Sequence, residues 1–261
     1  MPALDQLNTL LAGGVFAIML VFTRVGVAML NLPGFGDTSV PAQARLFLAL
    51  AFSVAITPIL RAKLPAAPDE PALLILLLGS EVIIGLFIGT VGRVILTSLE
   101  TAGQLIGHQT GFSIASVFNP QIASAGSLAG SLLSTMAVVL LFVTDLHHML
   151  LRGLLGSYDL FPAGGPLPIG DLASVIAKVV AASFTIGVQL SAPFIIVALM
   201  LMVGLGLIAR MMPQIQIFFV AQPIQLALGI FIFAVVLPAM ALFWMTKFQM
   251  SMQTFLSPGT P

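Results

Sequence analysis

Five charged side chains fall well inside apolar runs: Arg24, Glu81, Arg93, Asp145 and Lys178. Charge is expensive in such surroundings, so each needs a partner or a purpose. The chemistry such a set could do is a proton or ion relay. The plainer use is structural pairing, or snorkelling of a long stem to an interface. Glu81 and Arg93 are twelve residues apart, roughly 18 Å along a helix, so their partners are expected on other helices or other subunits. No run of Asp, Glu and His at helical spacing argues for a pump.

The histidines are His108, His147 and His148. Adjacent helical positions point about 100° apart, so His147 and His148 do not share a metal simply. Asp145 and His148, at i and i+3, can hydrogen-bond. A metal site needs more ligands, and no HExxH or other zinc signature occurs, so neither metal nor cofactor is expected. Ser127, Ser131 and Ser134 share a segment with the histidine pair, but Gly-x-Ser-x-Gly is absent. No catalytic residues are assigned, and the chain does not read as an enzyme.

The elements that must position these residues are membrane helices. Of 261 residues, 59% are hydrophobic and 7% charged, against roughly 45–50% and about 25% in soluble domains. The mean hydropathy is +1.15. Nine basic and nine acidic residues cancel, and no basic tract invites nucleic acid. The lack of cysteine excludes disulfides and thiol-ligated metals. The N-terminus has no basic n-region and does not read as a cleaved signal peptide, so the first apolar segment is expected in the mature chain.

A spanning helix needs about 20 mostly apolar residues. Six segments qualify, at residues 7–32, 44–60, 72–99, 126–151, 172–210 and 215–247. The fold class is therefore all-α and polytopic. A polar loop with three prolines covers 61–71, and a Gly-, Pro- and Asp-containing loop covers 153–171. The last two segments are too long for a hydrocarbon core of ~30 Å, since each is on the order of 50 Å as a helix. They must kink, at Pro193, Pro223 and Pro238, or extend beyond the bilayer. The connection Met211-Met212-Pro213-Gln214 makes them an antiparallel hairpin. The loop charges orient the chain only weakly.

Residues 100–120, ETAGQLIGHQTGFSIASVFNP, stand out. Gly103, Gly107 and Gly111 recur every fourth residue and line one helix face, which lets another backbone come close. An apolar stretch from Phe112 to Phe118 follows and ends in the turn signal Asn119-Pro120. Loop backbone this apolar belongs inside protein or along a passage. Gly85, Gly89, Gly126, Gly130 and Ser134 read as packing positions, and the thirteen methionines as adaptable apolar surface.

Four blocks carry a resemblance to a known family. The first is Arg24, Pro33, Pro41 and Arg45. The second runs from Thr101-Ala102-Gly103-Gln104 through Gly111 to Asn119-Pro120. The third is Leu140-Leu141-Phe142, His148 and Phe161-Pro162. The fourth is Gly204-Leu205-Gly206-Leu207, Arg210, Pro213-Gln214, Phe218 and Pro223. In this order, over nearly the whole chain, they resemble the FliR family, the R subunit of the flagellar type III export gate, with related injectisome proteins. The chain departs from the family at His147, where Gly is usual, and at Ile215-Gln216, where Asn or a small polar residue often follows the Pro-Gln pair.

The resemblance implies a subunit that joins several P-type subunits in a closed helical ring, with Q-type subunits packed outside. It implies a P-like part at 1–171, with a plug loop near 111–120, and a Q-like helical hairpin at 172–261. Phe112, Ile114, Val117 and Phe118 would then form an apolar constriction against ions and water. The implied location is the bacterial inner membrane, within the flagellar basal body. Implied partners are the P and Q subunits, an FlhB-type switch protein, an FlhA-type export protein, membrane lipid and, transiently, unfolded export substrates. The alternative is a secondary transporter with Arg24, Glu81 or Lys178 in its substrate path. That reading predicts two related halves, and no internal repeat is found.

Overall fold

In lipid the backbone has no water to bond, so an apolar chain satisfies its own N–H and C=O groups by coiling. The computed structural model describes residues 2–37, 39–112, 127–212 and 217–256, with side chains at 13–37, 39–112, 127–212 and 221–253. Seven α-helices occur there: α1 Pro2–Asn31, α2 Ala42–Leu60, α3 Pro71–Thr110, α4 Leu128–Val143, α5 Leu146–Leu160, α6 Ile169–Met211 and α7 Ile217–Leu256. A 3₁₀ turn, Arg61–Lys63, follows α2. No strand occurs among the described residues. Pro71 opens α3 at the one helical position where a missing N–H costs nothing.

Among the described residues five helices are long and apolar enough to cross a membrane: α1, α2, α3, α6 and α7. The bent pair α4 and α5 makes a sixth span if counted as one. The chain is a polytopic all-α membrane protein, as its hydropathy predicts. As straight rods α6 (43 residues) and α7 (40 residues) would reach about 65 and 60 Å, twice a ~30 Å core. Pro193 lies inside α6, and Pro223 and Pro238 inside α7. The predicted connection at Pro213-Gln214 lies outside the described residues.

Two differences from the sequence expectation concern the fourth segment. It is two helices meeting at 77° across Thr144-Asp145. Asp145 adopts φ 58°, the left-handed conformation that Asp tolerates better than most residues. In addition, α5 runs through Gly153 to Leu160, so the loop before α6 is shorter than the Gly, Pro and Asp content suggested. The reason is the buried stripe Leu146, Leu150, Leu154, Ser157 and Tyr158. Its burial outweighs the ~1 kcal/mol that a helical glycine costs.

The chain forms two compact units, each discontinuous in sequence. The first comprises Met1–Val94, Leu141–Val179 and Met250–Pro261, and the second Ile95–Leu140 and Val180–Gln249. In the first, α1 buries Leu20, Val21, Val25, Ala28 and Met29 and packs on α2. It also lies against α3. A methyl group at Gly85 would sit 2.4 Å from the Arg24 carbonyl oxygen, and one at Gly89 would sit 2.7 Å from that of Ala28. Only bare glycines allow this approach. In α2, Ser53 donates to the Ala49 carbonyl and Thr57 to the Ser53 carbonyl, each at 2.6 Å. Their hydroxyls are thus satisfied within the helix itself.

In the second unit the rest of α3 contributes Leu99, Ala102 and Ile106 to the core, with Leu133 and Ala137 of α4 and Phe194 of α6. Trp244 and Phe248 of α7 are buried with ring centroids 5.0 Å apart. Gly187 of α6 faces Ser98 and Thr101, and Gly229 of α7 faces Thr110. Both helices therefore reach α3 through a glycine.

Candidate functional site

The first unit holds a buried charge cluster built from three helices. Arg24 of α1 and Glu81 of α3 are both wholly buried. Their bond is bidentate: Nε donates to Oε2 at 2.6 Å and Nη2 to Oε1 at 2.9 Å. Nη2 also donates to the Phe161 carbonyl at 2.9 Å, and Nη1 to Ser157 Oγ at 3.3 Å. The guanidinium carbon lies 3.9 Å from the centre of the Tyr158 ring, a cation–π contact. The planar fork of Arg suits this many partners, where the ammonium of Lys would not. Gly85, by admitting the Arg24 backbone, brings α1 close enough for the pair to form.

The other predicted intramembrane charges divide. Arg93 Nη1 donates to Asp37 Oδ1 at 2.7 Å, and Asp37 Oδ2 accepts from the Gly34 N–H at 3.1 Å. Glu81 and Arg93 thus find partners on other elements of the same chain. Lys178 is exposed and forms no ion pair among the described residues. Sequence reading missed a further pair, Lys63 with Asp159, which bridges the turn after α2 to the end of α5.

The glycine ladder lies in the second unit, and its three members do different work. A methyl group at Gly103 would fall 2.1 Å from the Gly130 Cα and 2.2 Å from its nitrogen, so α3 and α4 touch backbone to backbone. Gly107 faces the Ser127 hydroxyl, 2.9 Å from where its methyl would be. Gly111 is not a third rung. It follows the last residue of α3 at φ +80°, facing the Gln222 amide of α7, and ends the helix as left-handed glycines do. Beside it, Gln225 Nε2 donates to the Gln109 carbonyl at 2.6 Å.

Ser127 was weighed as a nucleophile and serves instead as a joint. Its Oγ donates to the Gly103 carbonyl at 2.7 Å and accepts from the Gly130 N–H at 3.4 Å, capping α4. Serine immediately before an apolar helical run is the signal that could have revealed this. Ser127→Ala is expected to cost about 1–2 kcal/mol and roughly 2–8 °C of Tm in detergent. An unchanged melting curve would show that the hydroxyl neither caps nor anchors.

Of the predicted plug residues, Phe112 sits half-buried in the turn after α3. Ile114, Val117 and Phe118 lie outside the described residues. Ser127 rests on Gly107, one helical turn before Gly111. The chain that leaves α3 at Gly111 therefore rejoins the same helix after fifteen intervening residues, 112–126, at a point ~6 Å away along its axis.

Comparison with known proteins identifies the family. Residues 15–251 match the family described as bacterial export proteins, family 1. The flagellar biosynthetic protein FliR of Caulobacter vibrioides is 36% identical over 241 residues, covering 92% of this chain and 96% of that protein. FliR of Bacillus subtilis is 30% identical over 241 residues, covering 91% and 92%. Yop proteins translocation protein T of Yersinia pestis is 30% identical over 177 residues, covering 63% and 66%. With near-complete coverage at these identities, the chain belongs to family 1 of the bacterial export proteins, the FliR family.

Proposed function

We propose that this chain is a structural and gating subunit of a flagellar type III export channel in the bacterial inner membrane. It helps form and seal the pore through which unfolded flagellar proteins pass. Similarity to FliR along nearly the whole chain supports the flagellar rather than the injectisome system, since the Yersinia relative covers less of it. Its partners are P- and Q-type gate subunits, an FlhB-type switch protein and an FlhA-type export protein. Residues 1–171 are the P-like part and 172–261 the Q-like hairpin. The α6 and α7 spans bury only 11% of their most apolar stretch, against 44% for α1. They thus keep broad apolar surface for neighbouring subunits and lipid.

The observation that supports the sealing role is that both described flanks of residues 113–126 are bonded to neighbouring helices. On the side before them Gln225 Nε2 of α7 donates to the Gln109 carbonyl, and on the side after them Ser127 Oγ donates to the Gly103 carbonyl. Phe112, Ile114, Val117 and Phe118 supply the constriction. Arg24, Glu81 and Arg93 act as structural clamps, each paired inside the chain.

Replacing Phe112–Phe118 with Gly and Ser is the test. The variant gate is expected to co-purify with its P and Q subunits while membrane conductance to ions and small solutes rises. Intact assembly with unchanged conductance would end the plug assignment.

A further inference from the structure

The break between α4 and α5 gathers three ligating side chains that the export reading does not use. We propose that Asp145, His147 and His148 bind a late first-row divalent cation, with Zn²⁺ as the reference ion. One ligand atom from each lies within 4.8 Å of the others. The 100° offset of adjacent helical positions does not keep the histidines apart, since their ring centroids are 4.1 Å from one another. Phe142 at the end of α4 packs on His147 at 5.0 Å and fixes its ring.

Two observations point to a ligand rather than to a satisfied cluster. His147 Nδ1 is buried and has no hydrogen-bond partner among the described residues, an expensive condition that coordination through this nitrogen would relieve. Asp145 occupies the N-cap of α5 yet makes no side-chain capping bond. Its carboxylate stands 3.4 Å from His148 Nδ1, too long for a strong charge-assisted bond. Ligand atoms around a tetrahedral ion with bonds of 2.0–2.2 Å lie about 3.3–3.6 Å apart. The cluster reaches that spacing by side-chain rotation, which 77% exposure of Asp145 and 58% of His148 leave free.

The donor set names the cation class. One carboxylate oxygen and two imidazole nitrogens suit Zn²⁺, Ni²⁺ or Cu²⁺, whereas Mg²⁺ and Ca²⁺ call for oxygen alone. Three protein ligands leave a fourth position for water. The positive end of the α5 dipole opposes a cation weakly, and the Asp145 carboxylate at that end offsets it. Bound there, the ion joins the residue at the bend to the first turn of α5 and stiffens the 77° angle. This site stands independently of the export function.

The experiment uses the full chain in detergent with a histidine-free affinity tag. Zn²⁺ is titrated by calorimetry, and Tm is followed as a function of Zn²⁺ concentration. One saturable Zn²⁺ per chain is expected, with Tm rising as the site fills. Asp145→Asn, which tolerates the left-handed backbone, is expected to keep the metal-free Tm and weaken binding at least ~10-fold. His148→Ala is expected to do the same, so a folding defect in one variant leaves the other decisive. No saturable binding overturns the proposal, as does binding that survives both substitutions.

Discussion

Glu81→Leu is expected to lower stability by about 3–5 kcal/mol, because it strands Arg24 without a counter-ion where no water reaches. Arg24 makes four hydrogen bonds, two of them to Glu81. The remaining acceptors, a serine hydroxyl and a backbone carbonyl, are neutral and cannot balance the charge. At roughly 2–4 °C per kcal/mol for a chain of this size, the loss corresponds to about 6–20 °C in Tm, measured on the purified chain in detergent. The double variant Arg24→Met with Glu81→Leu is expected to recover most of that, since a buried pair contributes little beyond an apolar pair of similar volume. A single variant within ~1 kcal/mol of wild type would refute the clamp. A double variant that is stable and assembled but unable to export would turn attention from clamp to relay.

Gly103→Ala is expected to be the most damaging single-carbon addition on the ladder. The new methyl would lie 2.1 Å from the Gly130 Cα, and what must move is backbone, fixed in two helices. Overpacking costs 1–3 kcal/mol where side chains can give way and more where they cannot, so about 3 kcal/mol is expected here. Gly107→Ala meets only the Ser127 hydroxyl at 2.9 Å, the end of a rotatable side chain, and is expected below ~1 kcal/mol. Gly111→Ala lies between, because a left-handed non-glycine costs about 1–2 kcal/mol. Thermal unfolding and co-elution with P and Q subunits measure this order. A Gly103→Ala chain as stable and as well assembled as wild type would contradict the backbone contact.

Much of this was legible in the residues, for reasons that differ from one element to the next. Six apolar segments announced themselves because bilayer thickness imposes a length and excludes charge. Gly103 and Gly107 were legible as contacts because a four-residue period lines one face. Gly111 shares that period but not that role. A helix can stop at any glycine, and only its approach to Gln222 and its φ reveal that it stopped there. The pairing of Glu81 with Arg24 could not be read, because intervals of 57 and 133 residues to Glu81 and Ser157 leave no local trace. Helix α5 was read short because Gly153 and Gly156 look like loop residues until the stripe at 146, 150, 154 and 157 is laid on a helical wheel. The bend at Asp145 hid for a related reason: a single left-handed residue has no periodicity.

The interval between Arg24 and Glu81 also has a meaning in time. Arg24 emerges from the ribosome 57 residues ahead of the carboxylate that neutralises it. It emerges 134 residues ahead of the ring that covers it, as the positions of Arg24 and Tyr158 give (158 − 24). At ~5–20 residues per second, the first delay is roughly 3–11 s and the second roughly 7–27 s. Throughout the first interval α1 carries a cation with no acidic partner from α3. Its handling falls to the insertion machinery, to lipid headgroups, or to a delay in moving α1 to full depth. The native Arg24–Glu81 pair can therefore form only after the third helix has been synthesised.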